Sequence, residues 1–71
     1  MDIYTKTGSK IVLAFYDKGM ESDIKNAKKY LKLNDVYTLD KTEVYEDITF
    51  IYLSEFPGIR FNSLQFENIQ N

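Results

Sequence analysis

At 71 residues and a formal charge of −2, the chain has room for one hydrophobic core, and residues 1–71 are expected to form a single domain. It has neither cysteine nor histidine, which excludes disulfides, thiolate or imidazole metal sites, catalytic thiols and histidine-based triads. The acidic balance argues against non-specific binding to nucleic acid, which needs a clearly basic surface.

A domain this short buries only about 60% of the surface its unfolded chain exposes. Stability therefore falls to the six Tyr and five Phe, with self-association as the other resource. The charge is unevenly spread. Residues 1–32 carry seven Lys and four acids, whereas residues 33–71 carry one Lys, one Arg and seven acids. That polarity either orients a partner or pairs internally on folding.

Residues 1–6 are expected to add at most a short edge strand. Their surroundings, MDIYTKTGSKIVL, show no basic region followed by a long apolar run. No segment approaches the roughly 18 apolar residues of a membrane span, so a soluble cytoplasmic protein is expected. Lys10 to Tyr16 (KIVLAFY) is the first strand, with Ile11, Leu13 and Phe15 facing one way and Val12, Ala14 and Tyr16 the other. Both faces are apolar, which predicts cover on both sides. Thr7-Gly8-Ser9 and Asp17-Lys18-Gly19 are flanking turns.

One helix is expected at about residues 22–31. Ser22 is its candidate N-cap, Asp23 suits the positive end of the helix dipole, and Lys28 and Lys29 suit the negative end. Ile24, Ala27 and Leu31 form an apolar stripe, with Tyr30 at its edge. So short a helix does not persist alone and must dock on a sheet. Asp35 to Leu39 reads as the next strand, with Tyr37 and Leu39 inward. The polar run Asp40 to Glu43 and the acidic pair Glu46-Asp47 bracket Val44-Tyr45 as a loop or hairpin tip. Ile48 to Leu53 (ITFIYL) carries only β-branched, aromatic and leucine side chains and is the strongest strand. Pro57-Gly58 signals a turn, Pro57 marking a strand's end, and Ile59 to Phe61 is a short strand. Asn62-Ser63 turns the chain by side-chain-to-backbone bonds, and Phe61, Leu64 and Phe66 plug the core. The sum is a mainly β (α+β) fold, a small, partly open β-barrel of four to six short strands with one helix.

The segment from about Lys29 to Ile69 resembles SH3-like barrels. There an extended strand, a hairpin and a short strand lead into a helical turn and a final strand, places taken here by KYLKLNDVYTL, ITFIYLSEFPGIRFNS and LQFENI. The same segment, with its KYL…VYT strand and FNS…FE ending, is similar to small uncharacterised proteins of phages and prophages of Gram-positive bacteria. That resemblance implies a viral protein of the host cytoplasm that acts by occupying a host target, such as a defence protein.

Few residues suggest chemistry. Glu43, Glu46 and Asp47 could make an acid pair, yet they read as a solvated loop with no calcium-loop spacing. Lys25, Lys28, Lys29 and Lys32 form a basic stripe that meets an acidic surface or phosphates, or is simply a solvated helix face. Tyr16, Tyr45, Tyr52 and Phe56 are the aromatics whose phase could leave them outside, or else they pack under the helix. Arg60 could clamp a carboxylate or phosphate, or pair with Glu55 or Glu67. The three Gly stand apart, so no phosphate-binding glycine loop exists and no cofactor or metal is expected. An enzyme is not expected.

Tyr45 and Phe56 are the candidate apolar partner contacts, with Lys29 and Arg60 as the charged ones. A second reading is an oligomeric sponge for a nucleotide signal, with Lys28, Lys29 and Arg60 on its phosphates and an aromatic ring on its base. A third is an assembly accessory protein with strand 10–16 or 48–53 as a subunit seam.

Overall fold

The computed structural model describes residues 1–69. Its elements are β1 (Lys10–Leu13), α1 (Glu21–Tyr30), β2 (Val36–Val44), β3 (Thr49–Leu53), β4 (Phe56–Asn62), a 3₁₀ turn (Ser63–Gln65) and β5 (Phe66–Asn68). All strand pairings are antiparallel and give one sheet of order β4-β3-β2-β1-β5. The mainly β, partly open architecture with one helix is as expected.

β2 carries the design. Its first half pairs with β1, from Val12 opposite Val36 to Lys10 opposite Thr38. Its second half pairs with β3, from Leu39 opposite Leu53 to Val44 opposite Thr49. Between them the register slips at Asp40, and such a bulge bends a strand and strengthens its twist. The sheet thus turns a corner, and Ile11, Leu13, Leu39, Ile51, Leu53, Phe61 and Phe66 converge inside it. α1 closes this core with Ala27 and Leu31, as its apolar stripe requires.

Several local expectations are corrected. The run Asp40 to Glu43 is strand and not loop: β3 is so strong a template that polar residues extend alongside it, Lys41 opposite Tyr52 and Glu43 opposite Phe50. The hairpin tip shrinks to Tyr45–Ile48, closed by the Tyr45 amide donating to the Ile48 carbonyl at 2.9 Å. β1 stops at Leu13, because the amides of Ala14 and Phe15 turn to the Gln65 carbonyl at 2.9 and 3.1 Å. Ile11 and Leu13 are buried but Val12 only half so, and β1 is covered fully on one side only.

Residues 1–6 form no strand. The Thr5 amide donates to the Asp2 carbonyl in a turn, and the Asp2 amide reaches the Asn68 side chain at 2.9 Å, laying this segment along β5.

α1 begins one residue before Ser22, with Met20 at the cap position. The cap is supplied from inside the helix: the Met20 amide donates to Asp23 Oδ2 at 2.9 Å. Asp23 also accepts from Asn62 Nδ2 at 3.1 Å, and the helix start is thereby fixed to the end of β4. Gly19 is squeezed beside this pair. A Cβ there would stand 2.8 Å from Asn62 Nδ2, and its φ of +91° suits glycine.

Pro57 and Gly58 lie within β4 and do not end it. The ladder slips between Tyr52–Arg60 and Leu53–Phe56, so residues 57–59 bulge out of an edge strand where a missing amide costs nothing. The turn from β3 falls instead at Ser54-Glu55, where the Glu55 carboxylate accepts from the Thr38 amide and hydroxyl.

Leu64 is not part of the plug and is 57% exposed. The 3₁₀ turn rotates each side chain by about 120°, breaking the strand alternation that would have pointed Leu64 inward. Gln65 is buried in its place, donating to the Tyr16 carbonyl at 3.0 Å.

Candidate functional site

The basic stripe and Arg60 meet where α1 docks on β4. The contact is made by Asn26, whose Nδ2 donates to the Arg60 carbonyl at 2.8 Å. This bond sets Arg60 beside the helix, and a shallow open depression forms between Ser22, Asp23, Lys25, Asn26, Lys29 and Arg60. Lys28 shares the stripe but does not line the depression.

Arg60 pairs with no acid among the described residues. Glu55, one of the expected partners, is engaged by Thr38. The guanidinium lies instead 3.9 Å from the centroid of the Phe50 ring, a cation–π contact that holds it on the outer face of the sheet. Phe50 in turn meets Tyr45 edge-on at 5.9 Å. A line of side chains therefore runs from Lys29 through Arg60 and Phe50 to Tyr45 at the hairpin tip.

Beside it on the same face, Tyr52 carries Lys41 over its ring at 5.4 Å, and Lys41 pairs with Glu43 at 3.6 Å. The adjacent Glu43 carboxylate favours a protonated Tyr52 phenol as hydrogen-bond donor and raises its pKa; burial and charge repulsion add to this, while Arg60 and Lys41 oppose it.

Three of the four expected partner contacts, Tyr45, Lys29 and Arg60, thus lie on one surface. Phe56 does not. It packs against the inner side of the fold, its ring 5.8 Å from Tyr30, 6.2 Å from Tyr37 and 6.5 Å from Phe61. Tyr16 is also taken up structurally: its hydroxyl donates to the Leu31 carbonyl at 2.7 Å and accepts from the Leu33 amide at 3.0 Å, stapling the end of α1.

Phe50 and Asn26 were not among the expected site residues. Phe50 was legible, since it stands out of phase with Ile51 and Leu53 on a strand with two apolar faces. Asn26 was not, because its partner is a backbone carbonyl 34 positions away.

Glu43, Glu46 and Asp47 do not form an acid site, Glu43 being in β2 and the others at the exposed tip. Among the described residues no group of three acids is placed to hold a metal, and no helix is long and apolar enough to cross a membrane.

The family model described as "Bacteriophage T4 protein Y07B" matches residues 2–71. No curated protein and no solved structure matches the chain.

Proposed function

The chain belongs to the bacteriophage T4 protein Y07B family, and from that premise we propose that it is a non-enzymatic binding protein that occupies a host protein in the host cytoplasm. The observation that supports this is Arg60: a guanidinium without an acidic partner among the described residues, held on Phe50 next to Tyr45 and sharing a depression with Lys25 and Lys29. Arg and Tyr are the residues that most often anchor protein interfaces, and a guanidinium pre-positioned on a ring loses little freedom on clamping a carboxylate. The target is accordingly a protein that presents an acidic group beside an apolar one. Blocking a defence or regulatory protein is the use this reading assigns to that surface. The strand order and the terminal 3₁₀ turn leading into β5 support kinship with SH3-like barrels.

Native mass spectrometry of the protein drawn from host lysate tests this reading. A host protein at fixed stoichiometry is expected, with Arg60→Ala and Tyr45→Ala each releasing it while the circular dichroism spectrum is kept. Retention of the partner by both variants would refute the site.

The convergence of Lys25, Lys29 and Arg60 also supports the second reading, a nucleotide held by its phosphates. That reading predicts a melting temperature raised by the nucleotide, because a ligand of the native state stabilises by mass action, and no rise in Arg60→Ala.

A further inference from the structure

A second surface lies on the other side of Tyr45, where the hairpin tip approaches the 3₁₀ turn and the first residues of the chain. There Ile3, Val44, Tyr45 and Leu64 line an open groove, each exposing at least 41% of its surface. Glu46 and Asp47 stand at the rim, and no Lys or Arg lines it. Met1 also lines it, with its ammonium donating to the Phe66 carbonyl at 2.9 Å. So small a protein does not gain from leaving four large apolar side chains together in water, and patches of this kind mark interaction sites. The rim acids specify the chemistry of what covers it.

We propose that this groove is a docking site for a partner segment that carries apolar side chains flanked by Lys or Arg. Its apolar residues would cover Val44, Leu64 and Ile3, and its cations would meet Glu46 and Asp47. Charge complementarity selects this occupant over a symmetric second copy, because two copies placed groove to groove would set the same acids against each other. The groove shares Tyr45 with the Arg60 surface but differs in the charge it calls for, a cation here and an acidic group there.

The test uses the full chain and three synthetic amphipathic peptides of about five helical turns, built from Leu and Lys, from Leu and Glu, and from Ser and Lys. The Leu/Lys peptide is expected to bind, with amide NMR shifts at Val44, Tyr45 and Leu64 and an affinity that falls with salt. Val44→Ser and Leu64→Ser, at positions 58% and 57% exposed, should each weaken it about tenfold, as expected when the burial of one half-exposed apolar side chain is lost. Glu21→Ala, which removes an exposed acid on α1 away from the groove, should leave it unchanged. The proposal is overturned if the Leu/Lys peptide fails to bind, or if either control peptide binds as well. It is equally overturned if both Ser variants bind normally, or if sedimentation shows a dimer that those variants abolish, which would make a second copy the occupant.

Discussion

Replacing Asp23 by alanine should cost far more stability than its place in the first turn of a surface helix suggests. The carboxylate does two things that alanine cannot. It accepts the Met20 amide at 2.9 Å, and a lost cap of this type costs about 1 kcal/mol. It also accepts Asn62 Nδ2 at 3.1 Å, and Asn62 is only 1% exposed, so its amide would be stranded away from water at a further cost of about 1–2 kcal/mol. The expected loss is roughly 2–3 kcal/mol, or on the order of 10 °C in Tm for a domain of this size. Urea and thermal denaturation followed by circular dichroism would measure it. Glu21→Ala is the control, because Glu21 lies in the same first turn and is engaged only by an exposed pair with Lys25 at 3.6 Å; its loss should stay below about 0.5 kcal/mol. Equal losses for the two variants would refute the reasoning, and Asp23→Asn, which keeps an acceptor, should fall between them.

Phe61→Ala, at a position 1% exposed, should cost about 3–5 kcal/mol and leave little folded protein at 37 °C, whereas Leu64→Ser should change the unfolding free energy read from urea denaturation by no more than about 0.5 kcal/mol. Burial opposes ionisation of Glu55, but the Thr38 amide, its own amide, the Thr38 hydroxyl and Lys10 together hold its pKa below the ordinary carboxylate value. Its contribution is therefore complete above about pH 4.3 and is lost as pH falls through the lower folded-state value. Glu55→Gln should flatten that part of the stability–pH curve, and an unchanged acid limb would contradict it. Glu43→Gln should lower the pKa of Tyr52, since Arg60 and Lys41 then act without the opposing carboxylate; an ultraviolet titration of phenolate absorbance reads this, and no shift would remove Glu43 as the cause.

The apolar skeleton was legible in the sequence because it depends on local alternation. Ile11 with Leu13 and Tyr37 with Leu39 show their phase within a few residues, and the β3 run declares itself a strand by its side-chain types. What escaped depends on partners far along the chain. Asp40 to Glu43 looks like a loop until β3 is laid beside it. Asp23 reads as a helix-dipole residue and Asn62 as a turn residue, yet with Gln65 they form a polar joint between the start of α1 and the 3₁₀ turn. Burial of a polar side chain is permitted only by its partner, which composition does not reveal. At the candidate site the charged members were visible as a helical stripe and a single arginine. Phe56 reads as a rim residue because it stands just before the Pro57-Gly58 turn signal, whereas the turn falls earlier, at Ser54-Glu55, and Phe56 starts β4 with its ring against Tyr30 and Tyr37.

The position of β1 sets the order in which the molecule assembles. The β2-β3-β4 meander needs only neighbouring segments, so its loops close cheaply and early. β1 bonds on one side to β2 but on the other to β5, with Ile11 opposite Asn68. Until synthesis reaches Phe66–Asn68, one side of β1 lacks its partner strand and the Phe66 ring is missing from the core beside Leu13. From this topology the β1–β5 seam is expected to form late, after the main barrier. Substitutions in β5 should consequently speed unfolding and leave the folding rate nearly unchanged, so this strand governs how long each folded molecule lasts and not how fast it appears.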